Sequence, residues 1–161
     1  MAARAWRVAA AVFLLAGCAT GGRRPRLVAA PEAVAILLKR PADSTVILLE
    51  ARARAQGLRV ERFSPREGYL ETGWYDVARH ATVPPPFSRL DSIVKFRFFA
   101  DPSQGKTRLV AECMRRIAWD PSLPPRELER MVPAGHPGLG LMDSVLVVVR
   151  EAPAEKDSTR S

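Results

Sequence analysis

The chain has 161 residues, a length that suits one domain with a sizeable core. Basic residues outnumber acidic ones by 25 to 17, which gives a formal net charge of +8 at pH 7. Lysine and arginine are spread along the chain and form no single block. This pattern indicates a solvated basic surface and argues against a nucleic-acid interface.

The first 17 residues have the layout of a secretory signal. Two arginines and no acidic residue precede a short apolar run at 8–16, and small residues stand before Cys18. The apolar run is about half of the roughly 20 residues that a membrane-spanning helix needs. Leu-Ala-Gly-Cys at 15–18 resembles the lipobox of bacterial lipoproteins, which implies lipid attachment at Cys18 and removal of residues 1–17. The alternative is an ordinary signal with an incidental cysteine.

The lipobox resemblance also carries expectations about location. Ala19 stands where an aspartate would favour the inner membrane, so we expect a lipid-anchored protein of the cell envelope, at the outer membrane and facing the periplasm. Residues 18–31 include Gly-Gly-Arg-Arg-Pro and are predicted to be a flexible tether. With Cys18 lipidated, Cys113 lacks an intramolecular disulfide partner, and its apolar neighbours predict a buried side chain.

A single domain is predicted over 32–152, and its first regular elements follow the tether. The apolar run at 33–38 predicts either a buried strand or a helical turn, because periodicity does not separate the two. From 44 to 56 the apolar residues recur at helical spacing, and Gly57 supplies a left-handed stop. We therefore predict a helix over 44–56.

A β-hairpin is predicted next. Residues 58–63 alternate apolar and charged side chains, as a half-buried strand does, and 69–75 resume as a second strand. The intervening Ser-Pro-Arg-Glu-Gly at 64–68 is a turn by composition. Residues 79–91 contain three consecutive prolines and are predicted to form a long loop.

Two more strands are predicted at 92–100 and 107–119, with a turn at 101–105. Alternation assigns one buried face to the apolar side chains of both strands: Val94, Phe96, Phe98, Leu109, Ala111, Cys113, Ile117 and Trp119. Lys95, Arg97 and Phe99 then lie on the other face. Arg115 interrupts the apolar face, which predicts a bulge or an exposed strand end.

The last part of the chain gives weaker signals. Residues 121–137 are rich in proline and predict a loop, with one helical turn at 126–131. At 139–152 the apolar spacing favours a helix, whereas the β-branched run at 145–149 favours a strand, and we favour the helix. Residues 153–161 are polar and charged and are predicted to be a disordered tail.

One stretch matches a loosened phosphate-loop pattern, namely Ala-Asp-Pro-Ser-Gln-Gly-Lys-Thr at 100–107. The first glycine of the pattern is absent, and Pro102 removes one of the backbone amides that would hold the phosphates. We therefore interpret Lys106 as a residue of a hairpin turn and expect no nucleotide partner.

The sequence also lacks the common motifs of catalysis and metal binding. The chain has no Gly-x-Ser-x-Gly and no His-Glu-x-x-His motif, and His80 and His136 lie in separate proline-rich loops. Because a metal site needs ligands at matched spacing, we predict no metal and no cofactor. We also expect that the protein is not an enzyme.

Aromatic residues at the end of the second strand suggest a binding site. Alternation places Trp74 and Tyr75 on opposite faces, so one of them is expected in the core and the other exposed. An exposed aromatic side chain beside Arg79 would be a binding anchor. Trp74, Tyr75 and Arg79 are therefore the candidate binding residues, the alternative being an aromatic side chain that only covers the sheet edge.

The hairpin also carries a family resemblance. Leu-Arg-Val-Glu-Arg-Phe, a turn, and Gly-Tyr-Leu-Glu-Thr-Gly-Trp-Tyr at 58–75, after a helix, look like the repeated domain of the BamC lipoproteins of the outer-membrane β-barrel assembly machinery. The resemblance covers about 44–120. It implies a helix, a sheet and a closing helix, and this chain holds one such domain where BamC has two.

The predicted fold is α+β, an antiparallel sheet of about four strands with helices packed on one face. The predicted function is a lipid-anchored envelope protein with a non-enzymatic protein-binding or scaffolding role. Its expected partners are the membrane, through Cys18, and an envelope protein. The alternative is a small-ligand or lipid-binding module that uses the concave face of the sheet.

Overall fold

The computed structural model describes residues 24–26 and 28–151. Cys18, the predicted signal peptide and the predicted tail lie outside the described residues. Within the described part, two α-helices accompany one antiparallel sheet of eight strands. In chain order the elements are β1 (Val34–Leu38), α1 (Ala42–Ala55), β2 (Val60–Ser64), β3 (Tyr69–Thr72), β4 (Tyr75–Asp76), β5 (Ala81–Thr82), β6 (Ile93–Ser103), β7 (Lys106–Arg116), β8 (Glu129–Met131) and α2 (Pro137–Glu151).

The long hairpin β6–β7 forms the centre of the sheet. The strand order is β1-β7-β6-β3-β2. The outer edge of β6 pairs with β3 and then with β4, which in turn pairs with β5. The outer edge of β7 pairs with β1 along one half and with β8 along the other. Each central strand is thus flanked by two short strands placed end to end.

The α+β class is confirmed, but the sheet has eight strands within the described residues instead of about four. The additional strands are short. Strands β4 and β5 have two residues each and β8 has three, too few to show an alternating pattern. The apolar run at 33–38, which allowed a strand or a helical turn, forms β1.

Two predicted strand boundaries are wrong for identifiable reasons. The strand expected over 69–75 is interrupted, because between Glu71 and Tyr75 it contains one residue more than the facing part of β6, from Arg97 to Val94. The turn expected over 101–105 consists of only Gln104 and Gly105, which both have positive φ (49° and 74°). Such a two-residue turn matches the twist of the flanking strands, so the hairpin extends through 103 and 106.

Both helices occur where the sequence predicts them. Helix α1 buries Val46, Leu49 and Ala53 completely against the sheet, and Gly57 follows it with φ +76°. Helix α2 confirms the preference for a helix over 139–152. Its β-branched residues are tolerated because packing of an amphipathic face contributes more than intrinsic propensity does.

The core lies between the sheet and the two helices. Alternation along β6 and β7 is confirmed, since the apolar residues predicted on one face of these strands pack together there: Val94, Phe96, Phe98, Leu109, Ala111 and Cys113. The prediction is wrong for Ile117 and Trp119, which are 43% and 44% exposed. Strand β7 ends at Arg116, so these two residues lie beyond the ladder and outside its alternation.

The second face of the sheet is covered as well. Tyr69, Phe99 and Val110 form a small apolar cluster there, and Ala29 and Ala33 from the start of the described chain pack on it. The tether predicted over 18–31 therefore contributes at least its last residues to the folded domain. The sheet has protein on both faces, which was not expected from a fold with helices on one face only.

Candidate functional site

The predicted binding residues occupy three different environments. Tyr75 belongs to the core beneath the helices and is 5% exposed. Trp74 faces the other side of the sheet, as alternation predicts, but it is also buried, at 7% exposure. The expectation of one exposed aromatic side chain at this strand end is therefore wrong. Arg79 is exposed and forms an ion pair with Asp76 at 3.7 Å.

Arg79 lines a small surface cavity of about 270 Å³ between β4 and the proline-rich loop at 83–89. Asp76, on its floor, accepts hydrogen bonds from the backbone N–H groups of Ala78 and Arg79 at 2.9 and 3.3 Å. Burial alone would raise the pKa of Asp76, but these hydrogen bonds and one from Ser92 lower it. Asp76 is thus an ionised group that orders the loop, and its oxygens are already engaged.

Trp74 belongs to an aromatic column, by which we mean Trp74, Phe87 and Trp119. The ring of Phe87 meets Trp74 edge-on at 5.5 Å and Trp119 at 5.9 Å. Lys95 caps one end, with Nζ 4.9 Å from the Trp74 ring, and Arg116 lies 4.9 Å from the Trp119 ring. These edge-to-face and cation–π contacts hold the proline-rich loop against the sheet. Trp74 therefore has a packing role in this structure.

Beside the column lies a charged layer, which comprises Glu71, Lys95, Arg97, Glu112 and Glu129. All five are buried on the second face of the sheet. Lys95 donates to Glu71 at 3.1 Å, and Arg97 donates to Glu129 and lies 3.8 Å from Glu112. The backbone N–H of Ala30 donates to Glu112 at 2.7 Å, so the covering segment is tied to the layer.

Pairing decides the charge state of this layer. Burial alone would raise the pKa of Glu71, but Lys95, the hydroxyl of Tyr69 and Arg97 outweigh it and lower the pKa. Burial raises the pKa of Tyr69, and the neighbouring Glu71 carboxylate raises it further. Because each carboxylate named above already has a hydrogen-bonding or ionic partner, the layer has the character of a structural network.

An apolar groove lies at the sheet edge between the start of β1 and the end of β8. Val34 of β1 pairs with Ala111 of β7 and Met131 of β8 pairs with Met114 of β7, so two residues of β7 lie between the two short strands. The resulting edge groove has a volume of about 750 Å³. Its walls are mainly apolar: Ala30, Val34, Met114, Met131, Val132, Pro133, Ala134, Leu139 and Met142. Glu32 and Arg130 add charged groups at the rim, and the buried Glu129 of the charged layer also borders the groove.

The edge groove is suited to binding an apolar segment. Three of its side chains, Met114, Met131 and Met142, are flexible and polarizable, so they adapt to different apolar shapes. The continuous stretch 129–142 forms most of the groove, but Ala30, Val34 and Met114, which complete it, come from distant parts of the chain. No single sequence window therefore indicated it, although methionines in otherwise strand- and helix-forming stretches are a weak signal.

The remaining candidates have structural roles. His136 caps α2: its Nδ1 accepts a hydrogen bond from the Gly138 N–H at 3.0 Å, while Nε2 lies 2.9 Å from the Asp91 carbonyl. Cys113 is buried, and burial raises the pKa of its thiol to about 12. Among the described residues, no group of three histidine, cysteine or carboxylate side chains could hold a metal ion.

Lys106 lies at the first position of β7, opposite Ser103, in the tight hairpin. The residues after it form a strand, whereas a phosphate loop leads into a helix. The interpretation of 100–107 as a hairpin is thus confirmed.

Comparison with known protein families finds no match, and a search of curated proteins finds no significantly similar sequence. Of the two helices in the described chain, neither is long and apolar enough to cross a bilayer.

Proposed function

We propose that this chain is a lipid-anchored, non-enzymatic envelope protein that binds another protein through the edge groove. The anchor is Cys18, for the reasons given by the lipobox at 15–18. The observation that carries the binding role is the apolar groove of about 750 Å³ at a sheet edge. The charged layer and the aromatic column, by contrast, are internally paired and serve the fold.

The position of the groove relative to the anchor supports this proposal. Ala30 lies at the groove and stands 12 positions after Cys18 in the sequence. A chain of that length reaches at most about 43 Å when fully extended. The groove would therefore operate close to the membrane, where a segment of a membrane-associated partner is available at high local concentration.

The polar rim favours a peptide over a purely apolar ligand. Glu32 and Arg130 are both exposed and carry opposite charges at the rim. Paired with the mainly apolar walls, this gives the apolar centre and polar border of a protein–protein contact. We propose that the partner inserts apolar side chains between Met131 and Leu139 and meets the rim with charged or polar groups.

Photo-crosslinking in intact cells tests this function. A photoreactive residue at Met131, in the groove, should form a defined protein adduct, whereas the same residue at Ile47 should not. Ile47 is a suitable control because it is exposed on α1, away from the groove. The substitution Leu139→Asp should abolish the Met131 adduct, since it places a charge on the apolar wall. Adducts of equal yield at both positions, or an adduct insensitive to Leu139→Asp, would contradict the proposal.

A second candidate function is the binding of a small apolar ligand. The groove volume lies within the range of about 300–1,000 Å³ that small-molecule sites occupy. The ligand would then bind at the sheet edge and not on the concave face, which the helices fill. Native mass spectrometry of the full chain purified from its host distinguishes the two. A co-purifying lipid-sized molecule that Leu139→Asp removes would favour this alternative.

A further inference from the structure

The two edges of the main sheet are protected to different degrees. Strand β2, at one edge, contains Glu61 and Arg62 and an irregularity in its register between Val60 and Arg62. Charged side chains and bulges are the devices by which proteins keep an edge strand from pairing with another chain. Strand β2 therefore has the features of an edge that ends the sheet.

Strand β1, at the opposite edge, has none of these devices. Its sequence is Val-Ala-Ile-Leu-Leu, with no charge and no proline, and it pairs regularly with β7 over all five residues. No strand in the described part of the chain pairs with its outer edge. Leu37 is 62% exposed, and Ala35, on the other side of the central Ile36, is exposed as well. A regular apolar edge of this kind is a template for a further strand.

We propose that β1 pairs antiparallel with β1 of a second copy of this chain, joining two sheets into one across a two-fold axis at Ile36. In this register Leu37 of each copy lies beside Ala35 of the other, so a large side chain meets a small one on the same face. Val34 likewise lies beside Leu38. Directly opposed residues in such a pair have Cβ atoms about 4.5–5.5 Å apart, within packing distance.

Charge at the two ends of the strand favours a second copy as the occupant. Glu32 precedes β1 and Lys39 follows it, and both are exposed. Antiparallel pairing about Ile36 places Lys39 of one copy opposite Ala33 of the other, one residue from its Glu32. The acidic end of each strand thus meets the basic end of its mate twice in one symmetric interface. A parallel arrangement would instead bring like charges together.

The interface is small, because it consists of one five-residue strand pair. We therefore expect a weak, concentration-dependent dimer. The proposal depends on β1 and on the charges that flank it, Glu32 and Lys39. It does not require the lipid anchor or an occupied edge groove, so its failure would leave the proposed function intact.

Sedimentation velocity of the full chain over a range of concentrations tests the pairing. The wild-type chain should shift from monomer to dimer as concentration rises. Leu37→Lys should weaken dimerisation by about tenfold or more, because it places a charge in the interface. Ile47→Lys, which exchanges the same residue class on the exposed side of α1, should leave the dimer within about twofold of wild type. Thermal unfolding checks that both variants remain folded.

Cysteine pairs test the register independently. When a copy carrying Ala35→Cys is mixed with one carrying Leu37→Cys, a disulfide should form between them under mild oxidation. Mixing Ile47→Cys with Ala35→Cys should give none. A wild-type chain that stays monomeric at all concentrations would overturn the proposal, and so would a dimer insensitive to Leu37→Lys. A wild-type chain that stays monomeric would leave the free edge of β1 to a different protein or to residues outside 24–26 and 28–151.

Discussion

Gly68 shows how a single residue fixes a local path of the chain. It has φ +62°, and a Cβ atom built on it would lie 2.0 Å from the carbonyl oxygen of Ala100. The Gly68 carbonyl in turn accepts a hydrogen bond from the Ala100 N–H at 2.8 Å. Composition alone predicts a turn at 64–68, but the close approach to β6 follows only from the three-dimensional structure.

The first prediction uses two glycines with similar dihedral angles. Gly105 has φ +74° but open space around its Cα, so Gly105→Ala carries only the conformational cost of about 1–2 kcal/mol. Gly68→Ala adds a backbone clash and should cost about 3 kcal/mol or more in denaturant unfolding. Equal losses for the two variants would mean that the contact with Ala100 is not formed.

The second prediction concerns Cys113. Because burial raises the pKa of its thiol to about 12, the reactive thiolate is scarce at pH 8. In a Cys18→Ala background, Cys113 should not react with a maleimide in the native chain and should react completely in denaturant. Rapid native labelling would place this residue at the surface and contradict the assigned face of β7.

At the scale of elements, the sequence predicted whether a long segment is a helix or a strand better than it predicted the residues at which the segment begins and ends. Helix 44–56 and the alternation of β6 carry long, regular patterns, and both are found. Strands β4, β5 and β8 depend on pairing partners far along the chain, so their two or three residues carried no local signal. Ile117 was placed on the buried face because alternation was extended past the end of β7 at Arg116.

The third prediction compares a residue inside the ladder with one beyond it. Phe98 is completely buried, whereas Ile117 is 43% exposed. Phe98→Ala should therefore cost about 3–5 kcal/mol, the usual range for a buried phenylalanine. Ile117→Ala should cost less than about 1 kcal/mol, as a surface change does. Chemical denaturation of both variants measures the difference, and similar losses would mean that β7 continues past Arg116.

At the scale of the whole molecule, the second face of the sheet was the least predictable part. Alternation correctly put Lys95 and Arg97 opposite the core, and charged residues there predict exposure to solvent. The structure instead buries them with Glu71, Glu112 and Glu129, beneath a covering that includes Ala29 and Ala30. That arrangement needs carboxylates from three strands at once, so no single window reveals it. The edge groove was missed for the same reason.

The charged layer leads to the fourth prediction, on acid stability. The pKa of Glu71 is lowered from its ordinary value of 4.5, so the folded state binds its proton less readily than the unfolded state does. The stability that it contributes is present above about pH 4.5 and is lost as pH falls through the lowered pKa. Unfolding free energy should therefore drop steeply below about pH 4.5.

Two substitutions identify the group responsible. Glu71→Gln should lower the unfolding free energy at pH 7, because it leaves Lys95 without its closest carboxylate. It should also make the loss of unfolding free energy below about pH 4.5 less steep. Glu127→Gln, at an exposed position just before β8, should change neither the unfolding free energy at pH 7 nor its decrease at acid pH. If the unfolding free energy of Glu71→Gln falls with pH as steeply as that of the wild type, the pH dependence belongs to other carboxylates.

The central claim is that a folded binding domain is held at the membrane by a lipid on Cys18. Metabolic labelling with palmitate tests it most directly, and the chain supplies a matched control in its second cysteine. Wild type and Cys113→Ala should both incorporate label, whereas Cys18→Ala should incorporate none and remain as precursor. Equal labelling of Cys18→Ala, or an unmodified Cys18 in the mature protein, would contradict the account.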